Sequence, residues 1–129
     1  MNRCVRLALA AAVTFAAWAA PVAAQMQRNF PAHSLRGDFV VVVPPEILLN
    51  GRQARLGPGA RIRGADNLLL LSGTLINQRL LVHYTVDPLG FVLDVWVLTP
   101  AEAAKGWPAT REQAGTWLFN PDSQTWRQP

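Results

Sequence analysis

Asn50-Gly51 lies between two short alternating stretches, Glu46-Ile-Leu-Leu49 and Arg52-Gln-Ala-Arg-Leu56. An Asn-Gly pair favours the type I′ turn, whose two central residues both take positive φ, so the segment predicts a β-hairpin with a two-residue loop. The loop then sets the register. Leu49 faces Arg52, Leu48 faces Gln53, Ile47 faces Ala54 and Glu46 faces Arg55. Ile47, Leu49, Ala54 and Leu56 form the predicted core face, and Glu46–Arg55 a cross-strand ion pair on the rim.

Strand and turn signals continue on both sides. Phe39–Val43 is a β-branched run stopped by Pro44-Pro45, which has no backbone donor for a central ladder. Gly57-Pro58-Gly59 predicts a turn into a short strand, Ala60–Arg63, with Ile62 inward and Arg61 and Arg63 outward. Gly64-Ala-Asp-Asn67 turns the chain into Leu68–Leu71, and residues 72–78 read as a loop.

The hairpin Arg79–Val86 and Phe91–Leu98 contains a conflict. Asp87-Pro88-Leu89-Gly90 favours a type I turn with a glycine bulge, which sets Tyr84 opposite Asp94 and His83 opposite Val95. The hydrophobic pattern favours the neighbouring register. It groups Leu80, Val82, Tyr84 and Val86 with Phe91, Leu93, Val95 and Val97, and sets His83 opposite Asp94. A one-residue slip carries a whole apolar set to solvent, so the pattern is preferred.

The first 24 residues have the pattern of a secretory signal peptide. Arg3 and Arg6 precede an uncharged Leu7–Ala20 run, Pro21 breaks it, and Val22-Ala23-Ala24 offers small residues for cleavage before Gln25. The run is shorter than the roughly 20 residues needed to span a bilayer, so no stable membrane span is expected after cleavage. The leader holds two arginines, no acid and the single Cys4. Without it, 105 residues remain, with ten basic and eight acidic side chains, and the net charge falls from +4 to +2. That length suffices for one core without disulfides. Periplasmic or secreted localisation follows, and nucleic acid is a poor partner for an exported chain.

Residues 25–34 lack periodicity and read as a flexible lead-in to a β-domain over 35–99. Over 100–129 the texture changes. Thr99-Pro-Ala-Glu102 and Thr110-Arg-Glu-Gln113 are capping patterns, and Asn120-Pro-Asp-Ser123 is a turn between Trp117–Phe119 and Gln124–Trp126. The expected fold is mainly β: a small antiparallel meander or barrel-like rolled sheet of about six strands. A short C-terminal helix and a terminal hairpin follow, forming a Trp-rich tail packed on the β-domain.

Few residues carry candidate chemistry. His83 and Asp94 are the one acid–base pair that pairing across the sheet would bring together, but no serine elbow or thiol completes a nucleophilic site. His33 and His83 show no ligand spacing, so neither a metal nor a cofactor is expected. Arg52, Arg55, Arg61 and Arg63 stand without an acid between Ile47 and Ala65, and their forked donors suit carboxylate or phosphate oxygens. The alternative for these arginines is a solvated strand face that blocks edge pairing. Trp96, Trp107, Trp117 and Trp126 are a further enrichment. The three in the tail are expected to cap the open end of the β-domain, whereas exposed tryptophans would form a carbohydrate- or partner-binding platform.

The segments P-P-E-I-L-L-N-G (44–51), L-G-P-G-A-R-I-R-G (56–64), D-V-W-V-L-T (94–99) and F-N-P-D-S-Q-T-W (119–126) resemble small exported proteobacterial β-domain proteins of unknown function. The resemblance implies a periplasmic β-domain and transfers no activity. The expected function is a non-catalytic envelope binding or accessory module, engaging an anionic envelope component or an envelope protein through the arginines. The alternatives are a small hydrolase-like enzyme using His83 and Asp94, and a purely structural envelope subunit.

Overall fold

The structure is a computed structural model that describes residues 27–129. The leader expected over 1–24 and its cleavage before Gln25 lie outside the described residues. Strands β1 (Leu35–Val43), β2 (Glu46–Leu49), β3 (Arg52–Arg63), β5 (Leu80–Val86) and β6 (Val92–Val97) close a barrel in the order β2-β1-β5-β6-β3, with β2 pairing back onto β3. The two-residue β4 (Leu69–Leu70) adds to the other half of β3. Among the described residues no helix is long and apolar enough to cross a membrane.

The rolled-sheet expectation holds, but the path is not a meander. Three hairpin-linked strands are followed by β5, which returns beside β1, and this is a Greek key. β6 then lies parallel to β3, pairing Leu56 with Val92, Ile62 with Val95 and Arg63 with Trp96.

The Asn50-Gly51 hairpin has the register its turn dictates. Glu46 pairs with Arg55, Ile47 with Ala54, Leu48 with Gln53 and Leu49 with Arg52, and φ is 54° at Asn50 and 78° at Gly51. The turn also docks on β1. Asn50 Oδ1 accepts from the Asp38 amide at 2.9 Å, and the Asn50 amide donates to the Asp38 carbonyl at 2.8 Å. This approach requires Gly37, because a Cβ there would sit 2.8 Å from Asn50 Oδ1.

Gly57-Pro58-Gly59 is not a turn between two strands. It is a bend inside the continuous strand β3, with Gly59 at φ 77° and a shift in the β6 register between Leu56 and Arg61. A strand has only two edges. The bend lets one edge of β3 serve β2 and then β4, while the other edge carries β6.

In the long hairpin neither expected register is the one formed along its length. At the turn, Gly90 N donates to Asp87 O at 3.0 Å, Asp87 N donates to Phe91 O at 2.8 Å, and Val86 pairs with Val92. This is the register favoured by the turn residues. Beyond it, Leu93 and Asp94 together oppose Thr85, and the strands continue as Tyr84–Val95, His83–Trp96 and Val82–Val97. A β-bulge therefore reconciles the turn with the apolar pattern. Thr85 Oγ1 accepts from the bulged Asp94 amide at 3.2 Å. Val82, Tyr84, Val95 and Val97 keep their common inner side, but near the turn Val92 is buried where Phe91 and Leu93 were expected.

The barrel core consists of Phe39, Val41, Ile47, Leu56, Ile62, Val82, Tyr84, Val92 and Val95, joined by Leu35 and by Leu75 from beyond the 3-10 turn Ser72–Thr74. The tail contains α1 (Pro100–Ala104), α2 (Arg111–Thr116) and a hairpin of β7 (Leu118–Asn120) with β8 (Thr125–Arg127). Thr99 and Glu102 form the full capping box on α1, and Thr110 accepts from Gln113 N at the start of α2.

Candidate functional site

Strand alternation places side chains on opposite faces of the sheet, so the neighbours of the core residues point away from the barrel. Arg36 on β1 lies opposite His83 on β5, His83 opposite Trp96 on β6, and Trp96 opposite Arg63 on β3. These four residues form one cross-strand row on the outer wall. Residues 27–34 and the tail cover part of that row. A cleft of about 870 Å³ remains, lined by Arg63, Trp96 and His83 from the wall and by Arg28, Glu102 and Lys105 at the rim.

Residues 27–34, expected to be a flexible lead-in, are held against the barrel. Arg28 donates from Nε to Glu102 Oε2 at 2.9 Å and from Nη2 to Oε1, and reaches the carbonyls of Gly64 at 2.8 Å and Val97 at 2.7 Å. Phe30 is buried, and its amide donates to Gln124 Oε1 at 2.8 Å. Burial alone would raise the Glu102 carboxyl pKa. Hydrogen bonds from Arg28 and Thr99, with the charge of Arg28, outweigh that effect and hold it below the ordinary value.

His83 is 1% exposed, although it points away from the barrel interior. Trp107 stacks on its ring at 4.3 Å between centroids and Phe30 meets it edge-on at 4.5 Å. Arg36 approaches Nε2 through Nη2 at 3.2 Å and Nε at 3.4 Å. Arginine only donates, so Nε2 holds the lone pair and the ring proton resides on Nδ1, which has no hydrogen-bond partner among the described residues. Burial, then the charges of Arg36 and Arg28, lower the His83 pKa to about 3, and the imidazole is neutral at pH 7. The other donors of Arg36 cap the end of α1, at the carbonyls of Glu102 (2.9 Å), Ala103 (3.2 Å) and Lys105 (2.6 Å).

The expected His83–Asp94 pair does not form. His83 faces Trp96, whereas Asp94 pairs with Arg61 across the parallel strands and accepts from Thr85 Oγ1 at 3.3 Å. The register shift causes this separation, and with it the hydrolase alternative loses its acid–base pair.

The four arginines do not share one face. Because residues 57–59 bend rather than reverse the chain, they are strung along β3, up to about 36 Å from first to last at extended-strand rise. Arg52 edges a separate recess of about 450 Å³ near Leu49 and Tyr84. Arg55 pairs with Glu46 at 3.6 Å, and Arg61 sits beside Asp94. Arg63 alone of the four lines the cleft, where its guanidinium makes no ion pair or hydrogen bond among the described residues.

Trp107 and Trp126 belong to an aromatic layer over the outer wall rather than to a cap on an open barrel end. Trp107 is 5% exposed, donates from Nε1 to Ser34 O at 2.9 Å, and meets Phe119 and Trp126 at 5.5 and 5.7 Å. Trp126 Nε1 is buried without a partner among the described residues, and Trp117 is half-buried. Sequence reasoning missed Arg28, Phe30, Arg36 and Glu102. A signal was present for Glu102, whose capping box placed it at the tail's first turn. The others depend on which strands become neighbours. No family model, curated protein or solved structure matches the chain.

Proposed function

We propose that the protein is a non-catalytic exported module of the bacterial envelope that binds an anionic component in the outer-wall cleft, with Arg63 as the anchoring charge. The observation that carries this reading is the contrast among the guanidinium groups around the cleft. Arg28 and Arg36 are committed to carboxylate, carbonyl and imidazole acceptors, whereas Arg63 is without an acceptor among the described residues, next to Trp96. A guanidinium free to fork onto an oxyanion beside an aromatic ring is a recurrent anion-recognition arrangement. Five-stranded Greek-key barrels include oligosaccharide- and oligonucleotide-binding modules, which agrees with a binding role at the level of fold alone.

Co-fractionation with envelope material at low salt tests the reading. Arg63→Gln is expected to release the protein, and Arg55→Gln, outside the cleft, to leave it bound. Equal behaviour of the two variants overturns the cleft as the binding site, and retention of both favours the purely structural subunit.

A further inference from the structure

We infer that the ligand of this cleft is a saccharide unit bearing a single negative charge, such as a uronic acid residue within a glycan. The inference rests on the binding-module reading above and adds the chemical class.

Charge is the first ground. Arg28 and Glu102 neutralise each other, which leaves Arg63 and Lys105 against Asp66 on the cleft wall, a balance of one positive charge. Lys105 is also tethered, donating from Nζ to Ser123 O at 3.0 Å. Such a wall matches one carboxylate. A densely charged polyphosphate or anionic lipid surface would exceed it and would meet repulsion from Asp66.

Hydroxyl chemistry is the second ground. Asn29 and Asn67 line the cleft, and their side-chain amides make no hydrogen bonds among the described residues. Each amide can donate and accept at once, as vicinal hydroxyls require. Asp66 is held by its Oδ1, which accepts from Leu68 N at 3.0 Å, while Oδ2 is left to accept from a ligand hydroxyl. A phosphate ion has no use for this mixture of donors and acceptors.

The third ground is Trp96, half-buried in the cleft and directly opposite Arg63. The C–H face of a sugar ring is apolar and packs on an indole, while its carboxylate reaches the neighbouring guanidinium.

Calorimetric titration of the purified protein tests the class, using a glucuronate-containing tetrasaccharide, an uncharged chitin tetrasaccharide, inorganic phosphate and vesicles of anionic phospholipid. Saturable binding of the acidic tetrasaccharide is expected, weakened about tenfold or more for the uncharged one and in Arg63→Gln, the scale of one lost charged hydrogen bond. Asn29→Ala, a change at an exposed side chain of the cleft, is expected to weaken the acidic sugar without altering the fold. Preference for phosphate or vesicles that depends on Arg63 overturns the saccharide class and retains anion binding in the cleft. Equal binding of both tetrasaccharides overturns the requirement for charge, and with it this proposal. Absence of any Arg63-dependent binding to the four probes overturns both this proposal and the cleft as an anion site.

Discussion

The β5–β6 wall separates two packed layers made in different ways. Inside, Phe39, Val41, Val82 and Val95 are 0% exposed and pack in one apolar cluster, so their stabilisation is non-directional burial. Outside, Phe30, His83 and Trp107 are almost as well buried, but the layer depends on directed contacts: Arg36 to the imidazole, Arg28 to Glu102, and the Trp107 indole to Ser34 O. An apolar core tolerates changes of pH, whereas a layer containing a neutral imidazole and an ion pair does not. Burial alone therefore does not identify the core of this protein. Two residues equally hidden from solvent, Phe39 and His83, owe their burial to different physics.

Substitutions and pH can separate the layers. The largest effect is expected from Phe39→Ala, which should cost about 3–5 kcal/mol as an unfilled cavity in the barrel, read by denaturant unfolding at neutral pH. A smaller cost than that of outer-layer changes would break the distinction.

Next is the pH dependence contributed by His83. Its folded pKa is depressed, so the unfolded chain takes up a proton first as pH falls below 6.5. This stabilisation is full above that value and is lost as pH drops toward about 3. A decline on the order of 3 kcal/mol between pH 7 and pH 4 is expected, and His83→Gln should flatten it. An unchanged slope in the variant would remove the imidazole from the account.

Glu102→Gln should cost about 2 kcal/mol, because Arg28, with its side chain 10% exposed, would lose its counter-charge. The depressed Glu102 pKa contributes stability above about 4.5 that is lost as pH falls through the folded value, and this variant should lose that acid limb alone. Hydrogen exchange should show residues 27–34 and α1 opening before the barrel. Simultaneous opening would join the two layers into one cooperative unit.

The smallest effect belongs to Glu46→Gln, under about 1 kcal/mol, since both partners of the Glu46–Arg55 pair are 56% exposed and the pair is screened by salt. Thermal melting in low and high salt checks it.

Legibility in the sequence followed range. The 46–55 register, the Asp87–Gly90 turn and the two Thr caps each rest on chemistry spanning a few residues, and each was readable. The Gly57-Pro58-Gly59 segment carries the same turn chemistry yet stays within a strand, because pairing with β6 on one edge outweighs the local tendency to reverse. Of the candidate binding residues, Trp107 and Arg63 line the cleft, and Arg63 is the one arginine of the four that does so. Nothing near it in sequence distinguishes it from Arg55 or Arg61; its position opposite Trp96 does.

By itself, then, the sequence determined the alternation that makes strands, where most of the turns fall, and which side of each strand is apolar. These properties are set by φ preferences and side-chain period, both local. Only the tertiary structure decided the parallel β3–β6 pairing that closes the barrel, the bulge that moves His83 from Asp94 to Trp96, and the second layer that buries the imidazole. Those outcomes depend on pairing segments tens of residues apart, where a shift of one residue changes every neighbour.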